Sequence, residues 1–157
     1  MRDVSLILLD IRSSENVGSM FRTADAAGAV NLYLVGYTPA PADRFGRPNV
    51  KLEKSALGAE KRVPWERIED ADALLRSLKV RGVRVIALEQ DPRSIPYDSF
   101  VPPGPVALIM GNEVGGVPSR ILDVADIIME IPMRGEKESL NVAVAAGIAL
   151  YALTAGA

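Results

Sequence analysis

Apolar residues in this chain gather into short unbroken runs, separated by stretches that are either polar or helically periodic. Val4-Ser-Leu-Ile-Leu-Leu9 is the first run, Val30–Val35 the second, Val83–Leu88 the third, Val106–Met110 the fourth and Ile127–Ile131 the fifth. A run this short and this continuous is the mark of a strand covered on both faces. Between the runs the period changes. Ser13, Ser14 and Asn16 are helix-start residues, and Val17, Met20, Phe21 and Ala24 then recur at helical spacing until Gly28 stops the helix. Ile68–Leu78, with Ala71, Leu74 and Leu75, predicts an amphipathic helix ended near Gly82, and Pro118–Val124 predicts a short one. Residues 36–60 are rich in Pro, Gly and charge and read as an extended loop with one turn of helix near Lys54. The last helix is expected to start near Ser139. It is apolar on nearly every side, so it must be buried or must pack against a partner. Strands alternating with helices predict an α/β fold, a mainly parallel sheet flanked by helices on both faces.

Composition narrows the chemistry more than the fold. With 157 residues, 48% hydrophobic and 24% charged, the chain is expected to be one domain, residues 1–157, with a core that needs no disulfide or metal. It contains neither Cys nor His. The usual zinc ligands are therefore missing, as is every Cys–His or Ser–His nucleophile pair, and no metal is expected. The first apolar run is too short for a secretory leader. The last, Val142–Ala157, falls short of the ~18–20 residues that cross a bilayer. The expectation is a soluble, cytoplasmic protein with no membrane partner. Net charge is −2, yet residues 43–62 alone carry +3 and the remainder −5. That basic segment reads either as a solvated loop or as a contact for an anionic partner.

Open parallel sheets bind ligands beyond the carboxyl ends of their strands. The loops expected there hold Asn16–Ala24, Leu88-Glu89-Gln90, Gly111-Asn-Glu-Val-Gly-Gly116 and Pro132–Ser139. The glycine spacing fits neither a dinucleotide fingerprint nor a phosphate loop. Singly, each polar residue has a plain explanation. Asn16 and Ser139 can be N-caps, and Arg22 can pair with Asp25 three residues later.

Together the segments say more. Asn16-x-Gly-x-x-x-Arg22-Thr-Ala-x-x-x-Gly28, then Ile109-Met-Gly-Asn-Glu113-x-x-Gly116, then Ile131-Pro-Met-x-Gly-x-x-x-Ser139-Leu-Asn141-Val occur in that order. They resemble the three ordered motifs of the SpoU/TrmH family, RNA ribose 2′-O-methyltransferases of the SPOUT superfamily, over almost the whole chain. Lys54-Ser-Ala-Leu-Gly-Ala-Glu60 is similar to the family's segment between the first two motifs.

The resemblance implies a SPOUT fold with a deep C-terminal trefoil knot, which sequence rules alone treat as essentially absent. It implies S-adenosylmethionine as cofactor, contacted by Leu88, Gly111, Ile131, Met133, Ser139 and Leu140. It implies that Arg22, Asn16, Glu113, Ser139 and Asn141 serve methyl transfer to a ribose 2′-hydroxyl, with Asn16 and Glu113 orienting Arg22 and the ribose. Arg22 would act either as a base of depressed pKa or as a charged group stabilising the developing alkoxide. Family members are usually homodimers in which each site draws on both chains. The RNA, tRNA more than rRNA, would be gripped by Arg12, Arg44, Arg47, Lys51, Lys54, Lys61 and Arg62, with Tyr37, Phe45 or Trp65 available to stack on a base. Two rivals stand beside this reading: a knotted RNA-binding protein without activity, and a generic α/β nucleotide-binding enzyme.

Overall fold

The computed structural model describes residues 2–99 and 102–155. The strands are β1 (Val4–Leu9), β2 (Asn31–Val35), β3 (Trp65–Ile68), β4 (Arg84–Leu88), β5 (Ile95–Pro96), β6 (Val106–Met110) and β7 (Ile127–Glu130). The helices are α1 (Ser14–Ala27), α2 (Val50–Ala56), α3 (Ala71–Val80), α4 (Ser119–Val124) and α5 (Val142–Ala155), with a 3-10 turn at Ala59–Lys61. The strands make one sheet in the order β3-β2-β1-β6-β4-β7-β5, and every pairing is parallel.

Two cores explain why the interior strands are apolar throughout. Along β1, Leu6 and Leu8 point into a cluster with Val17, Met20 and Phe21 of α1 and Leu150 of α5. Ile7 and Leu9 point the other way, toward Leu74 and Leu78 of α3 and Ile121 of α4. Successive strand residues face opposite sides, so a strand between two layers of helices has no solvent face. Helix α1 is set by its ends: the Ser13 hydroxyl accepts from Asn16 N at 3.1 Å, and Gly28 closes the helix at φ +75°. Helix α2 lies so close to α1 that a Cβ on Gly18 would stand 2.3 Å from the Leu52 carbonyl oxygen.

The five predicted strands are present with ends shortened by a residue at Val30, Val83 and Ile131. Three expectations need correction. Ile68 does not open a helix; it ends β3, and α3 begins at Ala71 behind its N-cap Asp70, whose carboxylate accepts from Ala73 N at 3.0 Å. The helix near Lys54 runs for seven residues rather than one turn. The last helix starts at Val142, because Asn141 rather than Ser139 caps it, accepting from Ala143 N at 2.8 Å and Val144 N at 3.2 Å. Among the described residues no helix is long and apolar enough to cross a membrane.

Candidate active site

Because every strand runs the same way, the loops after β1, β2, β4, β6 and β7 all emerge at one edge of the sheet. A cavity of about 310 Å³ opens there, within the range that takes a small organic ligand. Its apolar walls are Leu88 at the end of β4, Ile131 and Met133 after β7, and Leu140 ahead of α5. Gly111 and Ser139 complete the set expected to border a ligand, so all six predicted cofactor residues line one space. Apolar walls with main-chain edges suit a flat heteroaromatic ring.

The loop after β6 is a built turn. Asn112 Oδ1 accepts from Val114 N at 2.9 Å and Gly115 N at 2.8 Å, while its Nδ2 donates to the Asp10 carbonyl at 2.7 Å and to Tyr37 Oη at 2.9 Å. A Cβ on Gly111 would fall 2.4–2.6 Å from the main chain of Gly116 and Val117, so the loop folds back against itself. Glu89 holds the far side, Oε2 accepting from Val117 N at 2.9 Å. Gln90 spans the cavity mouth, donating from Nε2 to the Glu138 carbonyl at 2.6 Å.

Beside the cavity three predicted residues form one directed chain of hydrogen bonds. Asn141 must turn its carbonyl oxygen toward α5 to cap it, which leaves its Nδ2 to donate to Asn16 Oδ1 at 3.1 Å. Asn16 must then present Nδ2 to Glu113 Oε1, at 3.2 Å. A carboxylate only accepts, so both ends of the chain fix the same direction. Glu113 also accepts from Arg12 N at 2.9 Å and Ser13 N at 3.1 Å. Partial burial pushes the Glu113 carboxyl up, but these donors outweigh it and hold its pKa below the ordinary glutamate value. Asn16 and Glu113 thus tie the β1–α1 turn to the start of α5, and among the described residues neither is hydrogen-bonded to Arg22, which the resemblance expected them to orient.

Arg22 is exposed on α1, six residues or about 9 Å of helix rise beyond Asn16, and does not border the cavity of its own chain. Its guanidinium has no hydrogen-bond or ion-pair partner among the described residues. The Arg22–Asp25 pair expected from spacing does not form, since Asp25 accepts from Arg62 at 2.7 Å. Of the predicted RNA contacts, Arg12, Arg44, Lys51, Lys54 and Lys61 are exposed, Arg47 pairs with Asp43 at 2.7 Å and Arg62 with Asp25. Sequence reasoning missed the roles of Asn112, Glu89 and Gln90, which shape the cavity through bonds to segments distant in the chain.

Residues 3–151 match the family described as SpoU rRNA Methylase family. The chain is 36% identical over 146 residues to the 23S rRNA (guanosine-2′-O-)-methyltransferase RlmB of Ralstonia nicotianae, covering 93% of this chain and 56% of that protein. It thus spans little more than half the length of that curated relative. Among solved structures it is similar to the AdoMet-bound rRNA methyltransferase from Sinorhizobium meliloti, with a TM-score of 0.89 and 31% identity over 98% of this chain and 56% of that one. It is also similar to a structure described as giving insights into the 2-OH methylation of C/U34 on tRNA. There the TM-score is 0.81 and the identity 29%, over 97% of this chain and 94% of that one.

Proposed function

The chain belongs to the SpoU rRNA methylase family, and from that premise we propose that it methylates a ribose 2′-hydroxyl of a structured RNA using S-adenosylmethionine. The observation that carries the reading is that the second and third motifs line one apolar-walled cavity at the carboxyl edge of the sheet, while Asn16 of the first motif is hydrogen-bonded to Glu113 and Asn141 on its wall. Its residues fit the cofactor. Leu88, Ile131, Met133 and Leu140 would enclose the adenine, the main chain about Gly111 would meet its polar edge, and Ser139 lies at the rim. When bound, S-adenosylmethionine supplies a methyl group already activated by its sulfonium. The protein's task is then to hold the hydroxyl in line with that methyl, a positioning effect worth up to ~7–11 kcal/mol.

The directed chain Glu113–Asn16–Asn141 keeps the cavity's two flanks in register. Arg22 supplies the electrostatics. Its role is to stabilise the developing alkoxide and grip the adjoining phosphate, while the 2′-hydroxyl proton passes to solvent water. Since Arg22 lies outside its own chain's cavity, the functional unit is a homodimer in which each Arg22 serves the partner's site. Helix α5 supports this: Val144 and Tyr151, seven residues apart, are 53% and 51% exposed on a largely apolar helix, with Ile148 between them. Thr23, next to Arg22, packs where a Cβ on Gly147 would stand 3.4 Å away, so Arg22 adjoins that helix. The loops after β4, β6 and β7 would make the trefoil knot. Of RNA classes the reading is tRNA, with rRNA, named in the relatives, as the class the same experiment can reveal.

The test is incubation with S-adenosylmethionine and total RNA, followed by mass spectrometry of nucleosides from the separated tRNA and rRNA fractions. New 2′-O-methyl nucleosides in tRNA are expected, and Arg22→Ala should abolish them with little change in calorimetric affinity for S-adenosylmethionine. Products confined to rRNA would overturn the substrate class. Intact cofactor binding with no product in any RNA would leave only the RNA-binding protein.

A further inference from the structure

The loop between β2 and α2 carries a second arrangement that the cavity does not use. Asp43 closes a tight turn there, Oδ1 accepting from Phe45 N at 2.8 Å and from Arg47 N at 3.0 Å. Main-chain bonds reinforce it: Asp43 N donates to the Arg47 carbonyl at 3.0 Å and Gly46 N to the Asp43 carbonyl at 2.9 Å. Gly46 stands at φ +78°, a conformation most side chains resist, and Ala42 and Pro48 bridge across the base of the turn. The product of all this fixing is an aromatic ring held out in water. Phe45 is 67% exposed, and the guanidinium carbons of Arg44 and Arg47 lie 4.7 and 5.1 Å from its ring centroid.

Solubility alone would favour a small polar residue at such a tip. A rigid turn presenting a large aromatic ring between two cations instead matches a nucleotide. The base stacks on the ring or on a guanidinium plane, and the phosphates take the N–H donors. Those donors are available: Arg44 has no hydrogen-bond partner among the described residues, and Arg47 commits only Nε to Asp43 Oδ2, at 2.7 Å. The turn also adjoins the site. Asn49 at its neck donates to Ser14 Oγ at 3.0 Å, one residue from Ser13, whose N–H is held by Glu113. Tyr37, at the loop's other end, is bonded to Asn112.

We infer that Asp43–Arg47 is a recognition finger that stacks an unpaired base of the RNA on Phe45 and holds the flanking phosphates with Arg44 and Arg47. The inference rests on the reading of the chain as one that acts on RNA. Its test is the binding of a fluorescein-labelled single-stranded oligoribonucleotide of mixed sequence, and of the same strand as a duplex, to the whole chain. Phe45→Ala should weaken single-strand binding about ten-fold, Phe45→Trp should retain it, and the Arg44→Ala/Arg47→Ala pair should flatten its salt dependence. The added tryptophan should also be quenched by the single strand, after subtraction of the signal from Trp65. Unchanged binding by Phe45→Ala, or equal dependence on Phe45 for the duplex, would overturn the finger. Calorimetry of S-adenosylmethionine with the wild-type chain separates the two readings. No cofactor binding sinks the methyltransferase reading whatever the finger does, while cofactor binding with a silent Phe45→Ala sinks the finger alone.

Discussion

Three donors converge on Glu113: the main-chain N–H groups of Arg12 and Ser13 and the amide of Asn16. Replacement by Gln keeps the size but turns an N–H₂ toward donors. Glu113→Gln should cost about 1 kcal/mol, given that the group is largely exposed. The pH dependence has a definite sign. The folded carboxyl has a lowered pKa, so its contribution is complete above the ordinary glutamate value of about 4.3 and is lost as pH falls through the folded value. Urea denaturation should therefore show wild type and Glu113→Gln converging in acid; a gap independent of pH would contradict the assignment. These residues were legible as candidates in the three motifs. Their bonding was not, because Asn16 and Glu113 are 97 residues apart, and Asn16 and Asn141 are 125 apart. No local pattern encodes which amide faces which.

At the scale of elements, continuous apolar runs made the interior strands readable, since burial on both faces leaves its trace in every residue. Edge strands leave no such trace. Trp65-Glu-Arg-Ile68 exposes Glu66 and Arg67, and β5 is two residues long with a proline, so neither rises above loop composition. The start of α5 was misplaced for a related reason: Ser139 and Asn141 are both good caps, and nothing local in the sequence selects between them. Asn141 therefore has two separable duties. Asn141→Ala should lose the cap, about 1 kcal/mol or roughly 2–4 °C in Tm. Asn141→Asp should keep the cap, yet meet Asn16 with an acceptor instead of a donor. Thermal melts paired with methyl-transfer rates should show Asp keeping stability and losing rate; equal losses in both would leave Asn141 a cap only.

At the scale of the whole molecule, the proposed homodimer raises the question of which protomer completes which site. If Arg22 acts across the interface, two inactive variants should rescue one another. Mixing Arg22→Ala with Asn141→Asp, both expected to lose transfer, and letting subunits exchange should restore about a quarter of the wild-type rate, because half the dimers are mixed and each has one intact site. No recovery after verified exchange would place Arg22 in its own chain's site. Val144→Glu with Tyr151→Glu should sediment as a monomer and lose transfer, whereas a dimer surviving both changes would exclude this face of α5 as the contact.

The bond that ties Asn16 to Asn141 has a consequence in time. Helix α1 is synthesised first, yet its amide waits for a partner 125 residues further along the chain. Any intermediate released before residue 141 emerges has a sheet in progress but no fastened ligand chamber. Pairings so distant in sequence also form slowly. Nascent copies should therefore acquire affinity for the methyl donor abruptly, and only once residue 141 has emerged and paired.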